Sequence, residues 1–145
     1  MAKPPNSPGQ KAGWCIHYVA PPHDMKAEHI CAAGVAMKQF QGSPWPCFLD
    51  RKTGENKPDS APCEHLRRPT REEIAAHEKW ISERFDILGT VITGIKPWRL
   101  KNKGKSASEG VECPACKGRL HLSISAYNGH VHGRCETQGC VSWME

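Results

Sequence analysis

Cys113-Pro114-Ala115-Cys116 and Cys135-Glu136-Thr137-Gln138-Gly139-Cys140 are two close cysteine pairs. Thiolates a few residues apart can bite one ion when the chain between them turns tightly. Pro114 and Gly118 favour such a turn at the first pair, and Gly139 at the second. The chemistry this spacing offers is tetrahedral thiolate coordination, with four sulfurs about 2.3 Å from one zinc ion. Two disulfides or a redox Cys-x-x-Cys pair are the alternatives. His121, His130 and His132 lie between the pairs and each could replace a cysteine, but solvated strand residues is the simpler reading of all three.

A second set of thiols, Cys15, Cys31, Cys47 and Cys63, falls at even intervals through the first half of the chain. The residues between them do not repeat, so the interval is read as accidental. No two are close in sequence, and a site made from them requires long-range closure. Loop-closure entropy grows slowly with length, whereas structural zinc contributes on the order of 10 kcal/mol or more. A second four-cysteine zinc site is therefore expected, giving two Zn2+ per chain. An iron-sulfur cluster on the same thiolates, buried structural thiols, and sites using His17 or His65 are the alternatives.

The elements that would position these residues follow from composition and pattern. The chain has 145 residues, 38% of them hydrophobic, with 12 prolines, 13 glycines and 8 cysteines. That suits one ordinary domain or two small ones, and a turn-rich segment with little apolar area needs staples. Residues 1–12 are expected to be a disordered tail and 13–68 a loop-rich four-cysteine module. Within it Asp24–Gly34 reads as a helical turn ended by Gly34, Gln41–Leu49 as an extended segment, and Arg51–Pro62 as a polar loop.

Thr70 and Glu73 form a capping box that opens a helix over 69–96. Its stripe of Ile74, Ile81, Phe85, Leu88, Ile92 and Ile95 reads as core or as the seam of a homodimer through the 70–96 helix. Pro97 is expected to end it. Residues 97–110 are linker in composition. In 111–145, Arg119–Ala126 alternates apolar and polar, Asn128-Gly129 signals a turn, and Val131–Arg134 returns to Cys135. A hairpin that brings one cysteine pair from each end is the plan of a zinc ribbon. The fold class is thus a small α+β metal-stapled protein: an N-terminal four-cysteine module, one long amphipathic helix and a C-terminal zinc-ribbon β-hairpin.

The N-terminus has no apolar core of the signal-peptide kind, and no window reaches membrane-spanning length. A cytoplasmic location and no membrane partner are expected; reduced thiols there favour metal over disulfides. Net charge is +5. Lys96, Arg99, Lys101, Lys103 and Lys105 lead into the ribbon, and Lys117, Arg119 and Arg134 belong to it. These are the candidate contacts to nucleic acid phosphate.

The ribbon resembles the zinc ribbons in tandem at the C-terminus of bacterial type IA topoisomerases. Cys113-Pro114-Ala115-Cys116 matches their knuckle, and Gly129-His130-Val131-His132-Gly133-Arg134-Cys135 matches their approach to the second pair with one inserted residue and Val131 in place of an aromatic. The resemblance covers about a quarter of the chain and implies binding of single-stranded DNA by stacking and backbone charge, with Tyr127, His130, His132 and Trp143 as planar groups. Across the whole chain, Cys15-Ile16-His17-Tyr18, Cys31-Ala32-Ala33-Gly34-Val35, Pro46-Cys47-Phe48 and the terminal Cys135–Glu145 resemble small, mostly uncharacterised proteins of tailed phages and prophages. This resemblance implies a phage accessory role in the host cell cytoplasm and brings no activity with it.

Two functions are expected to compete. One is a zinc-dependent nucleic-acid-binding protein. The other is an effector that captures a host protein, such as a defence complex (in the manner of an anti-CRISPR) or a polymerase, through the tail Val141–Glu145. Catalysis is not expected: closed four-cysteine sites leave no coordination position for water, and Asp50, Glu55 and Asp59 form no recognisable acid-base or nuclease signature.

Overall fold

The computed structural model describes residues 8–20 and 28–145; residues 1–7 of the expected tail and 24–27 of the expected helical turn lie outside them. Within the described residues the chain forms two compact units, 8–80 and 81–145. Helix α1 (Arg71–Gly94) contributes residues to both. No helix among the described residues is long and apolar enough to cross a membrane.

In residues 8–80 regular structure is sparse. Strands β1 (Tyr18–Val19) and β2 (Ile30–Cys31) pair antiparallel with Tyr18 opposite Cys31, and Met37–Phe40 forms a 3-10 turn. Isolated bridges join Trp14 to Phe48 and Leu49 to Asn56. Buried Cys15, Tyr18 and Cys47 form the core, with Trp14, Trp45, Phe48 and Leu66 packed around them. Residues 8–12, which composition assigns to a disordered tail, are held in place. Buried Gln10 donates from Nε2 to the carbonyls of Cys15 (3.2 Å) and Tyr18 (2.8 Å), and Lys11 Nζ stands 3.3 Å from the centre of the Trp14 ring. One glutamine satisfying two buried carbonyls outweighs the Pro/Gly-rich composition on which the tail was read.

Helix α1 starts as its sequence dictates. The Glu73 N–H donates to Thr70 Oγ1 at 3.2 Å and the Thr70 N–H to Glu73 Oε2 at 2.9 Å. Each partner satisfies an amide that the first helical turn leaves open. Arg67 adds a two-pronged ion pair to the same carboxylate, at 2.7 and 3.1 Å.

In residues 81–145 a four-stranded antiparallel sheet runs in the order β3 (Ala107–Glu112), β4 (Arg119–Ile124), β5 (Val131–Cys135), β6 (Ser142–Met144). The hairpin read from sequence is its centre, β4–β5, and two further strands flank it. Alternation sets the faces. Leu120, Leu122, Ile124 and Val131 point inward and are buried together with Val91 and Ile95 of the helical segment. The apolar stripe of α1 therefore reaches the core under the four-stranded sheet at its C-terminal end, while Phe85 remains 67% exposed.

The helix does not stop at Pro97. It ends at Gly94, Ile95 makes the joint (φ −89°, ψ 0°), and a short helix α2 (Lys96–Lys101) begins with Pro97 in its first turn. Proline is well tolerated there, because first-turn amides have no helical acceptor to lose. The stretch 97–110, linker by composition, is thus mostly α2 and the start of β3. Trp98 packs on the core and donates from Nε1 to Glu109 Oε2 at 2.7 Å, and Ala107 and Val111 supply the inward positions of an otherwise polar edge strand.

Candidate metal centre and sheet face

Each cysteine pair sits where a strand meets a turn. Past the end of β3, the Cys113 N–H donates to the Gly118 carbonyl (2.7 Å) and the Lys117 N–H to the Cys113 carbonyl (2.9 Å). Lys117 takes the left-handed conformation at φ 64°, so the residue that turns the first knuckle is Lys117 rather than Gly118. Gly118 is needed for another reason: a Cβ there would overlap Thr137 Oγ1 of the second knuckle. At that second knuckle the Cys140 N–H donates to the Thr137 carbonyl (3.1 Å) and the Cys135 N–H to the Val141 carbonyl (2.9 Å).

The four sulfurs converge. Cys113 Sγ lies 3.7 Å from Cys140 Sγ, Cys116 Sγ lies 3.5 Å from Cys135 Sγ, and all four fall within 4.8 Å of one another. A disulfide would need about 2.05 Å. A regular tetrahedron with arms of about 2.3 Å has edges of about 3.8 Å, and that is the scale observed. All four thiols are free, and among the described residues this is the one group of three or more metal-ligating side chains gathered in this way. The cluster can hold a metal ion.

Its electrostatics differ from thiol to thiol. Cys116 is exposed and its thiol is pulled down to about 6, first by the Thr137 hydroxyl and then by the Gly118 amide. Burial pushes Cys135 and Cys140 up. Four thiolates this close repel one another, and a divalent cation is what allows them to ionise together.

The three histidines that could have replaced a cysteine lie elsewhere. His121 Nε2 is 2.6 Å from Glu136 Oε1, His130 Nδ1 is 3.0 Å from the Glu145 carbonyl oxygen, and His132 points outward from β5. In residues 8–80, Cys15 and Cys47 are buried, and the Cys15 N–H donates to the Cys47 carbonyl at 2.8 Å. Burial, and then the other thiols of the unit, raise the Cys47 thiol to about 11.

No family model matches the chain, and no curated protein or solved structure matches it either. The site must be read from its own geometry.

The eight cationic candidates do not form one surface. Arg99 is committed to the chain's own end: it bridges both carboxylate oxygens of Glu145 at 2.8 and 3.1 Å. Lys117 faces Glu112 at 3.5 Å, with both side chains largely exposed. Lys96 and Lys101 are on α2, whose Trp98 packs against the inner side of the sheet, and Lys103 and Lys105 follow in the turn to β3. Arg119 and Arg134 point from the opposite, outer side.

That outer side is a feature the linear sequence concealed. The register aligns Gly110, His121, Arg134 and Ser142 across the four strands, and Ser108, Ser123, His132 and Met144 beside them. Arg119 completes the face, with its guanidinium lying over Gly110. Period-two alternation pointed to these residues strand by strand, but only the pairing register puts them in adjacent rows. Trp143 belongs to the inner side, packed on the core, and does not offer a stacking surface.

Proposed function

We propose that the chain is a zinc-binding accessory protein of phage type that binds single-stranded DNA on the outer face of its ribbon sheet. The observation that carries this reading is the arrangement of Arg119, His121, His132 and Arg134 on one exposed face of paired strands. Two guanidinium groups can meet phosphates, and planar imidazoles spaced across strands can stack with unpaired bases. Tyr127, 97% exposed at the tip of the β4–β5 turn, extends the aromatic supply. Glu112 and Glu136 lie at the knuckle end and temper the charge, so the reading calls for moderate, strongly salt-dependent affinity. Zinc supplies no chemistry to a nucleic acid in this scheme; held by Cys113, Cys116, Cys135 and Cys140, it fixes the strands that carry the face.

The competing reading, capture of a host protein by an exposed C-terminal tail, loses its main anchor because Trp143 is tucked against the sheet; Met144 and Tyr127 are what remain for it. The test is fluorescence anisotropy of a labelled single-stranded oligonucleotide across a salt series, with the Arg119→Ala/Arg134→Ala variant alongside. Salt-dependent binding that weakens in the variant supports the reading. Absence of binding to single-stranded DNA even at low salt would sink it.

A further inference from the structure

We propose that Cys15, Cys31, Cys47 and Cys63 bind a second tetrahedral metal ion, of the zinc class, and that this ion is what holds residues 8–80 folded. The first argument is the poverty of the core. Apart from the start of α1, the described part of this unit has two two-residue strands and one 3-10 turn, and its buried apolar side chains are Cys15, Tyr18, Phe40, Pro46, Cys47 and Leu49. A core of that size does not stabilise some seventy residues of loop, and proteins in this position depend on disulfides or metals. Two of these six are themselves cysteines, and no cysteine in the unit is in a disulfide.

The second argument is convergence. The Cys15 amide bonds the Cys47 carbonyl, and the β1–β2 register puts Cys31 opposite Tyr18, three residues beyond Cys15. A cleft lined by Ala33, Gly34, Pro62, Cys63 and Glu64 brings the chain after Cys31 against the chain around Cys63. Backbone pairing thus holds the chain at Cys15 beside Cys47 and near Cys31, and the chain around Cys63 lies beside the turn that follows Cys31.

The third argument is local geometry. Cys15, Cys31 and Cys63 each open a turn closed by the amide three residues on: Tyr18 to Cys15 (3.0 Å), Gly34 to Cys31 (3.0 Å) and Leu66 to Cys63 (3.2 Å). The Arg67 amide approaches Cys15 Sγ at 3.5 Å. An N–H donated to sulfur stabilises the thiolate that a metal requires, and here the amide comes from the segment just after Cys63. Among the described residues only the ribbon's sulfurs already meet as a ligand set, so the ion is inferred to draw these four inward. Loading is a simple exchange: four thiols lose their protons to solvent as one divalent cation sheds its water and forms four metal–sulfur bonds.

The test is cobalt(II) titration of the whole chain, followed by the thiolate-to-cobalt charge-transfer band, with zinc content from native mass spectrometry. Two equivalents per chain are expected, falling to one in the Cys113→Ser/Cys116→Ser variant, whose remaining ion must sit on the N-terminal thiols. Because Cys15→Ser/Cys47→Ser can unfold its unit outright, alkylation of the unmutated zinc-loaded chain provides an independent reading: eight protected cysteines are expected. A chain that loads a single equivalent, lost in Cys113→Ser/Cys116→Ser, with Cys15, Cys31, Cys47 and Cys63 alkylated at once, overturns the second site and leaves the ribbon standing. Iron with acid-labile sulfide bound by those four thiols overturns it as well.

Discussion

The ring of Trp143 lies directly on Gly133, the residue opposite it across β5 and β6, so closely that a Cβ at position 133 would overlap the indole. Gly133→Ala must therefore push β6 away or force the ring from its place against the core. Overpacking of this kind costs about 1–3 kcal/mol. The measurement is thermal unfolding of the metal-loaded chain, in which Gly133→Ala should melt lower than a control such as Gly89→Ala, where the backbone is helical and nothing stands in the path of a Cβ.

Metal removal should unfold the ribbon. Cys113 is completely buried and Cys135 nearly so, and without a cation four convergent thiols offer little in return for that arrangement. Structural zinc contributes on the order of 10 kcal/mol or more. Treatment with a chelator is expected to abolish amide-exchange protection in β4 and β5, and readdition of zinc to restore it. Protection that survives complete chelation would show that the apolar core of Val91, Leu120 and Val131 suffices alone.

At the start of α1, Thr70→Ala removes the cap and should cost about 1 kcal/mol. The partner carboxylate gives a pH signature. Glu73 is held below its ordinary value of 4.5, chiefly by the Arg67 guanidinium and then by the Thr70 amide. A lowered folded-state value means that the unfolded chain binds the proton first. The contribution is complete above 4.5 and fades as pH falls through the lowered folded value. Acid unfolding followed by circular dichroism should show this loss in the unmutated chain, and Glu73→Gln should lack that component.

Arg99 and Arg134 should separate cleanly in DNA binding. With its guanidinium on Glu145, Arg99 is expected to leave affinity and salt dependence unchanged when replaced by alanine, while Arg134→Ala should lower the salt slope by about 0.7 for a single strand. Arg99→Ala should instead raise hydrogen exchange in β6, at a stability cost of about 0–1 kcal/mol for a pair this exposed. The reverse pattern would move the binding surface from the outer face to the α2 side of the sheet.

The clustering of Cys113, Cys116, Cys135 and Cys140 was legible because close spacing of cysteines is a local signal, as was the Thr70–Glu73 box, whose members sit three residues apart. Boundaries that depended on tertiary contact were not. Pro97 reads as a helix stop, yet in the first turn of α2 it loses no hydrogen bond, and Trp98 has a core to enter. The polar run 107–112 carries too few apolar residues to announce a strand and becomes one because β4 presents a free edge. Gln10 gave no signal at all, since nothing in composition reveals that two buried carbonyls lie within reach of its amide. The eight cations looked contiguous along the chain, but the sheet divides them between its two sides.

The contact between Gly118 and Thr137 limits how this chain can change over generations. Any side chain at 118 would run into the hydroxyl of 137, and that hydroxyl stands 3.3 Å from the Cys116 sulfur. A larger residue at 118 requires Thr137 to turn away or give place to a smaller residue, and either change displaces the hydroxyl that favours the Cys116 thiolate. The two knuckles are far apart in the gene yet share one constraint, and relatives of this chain should vary at 118 and 137 as a pair or not at all.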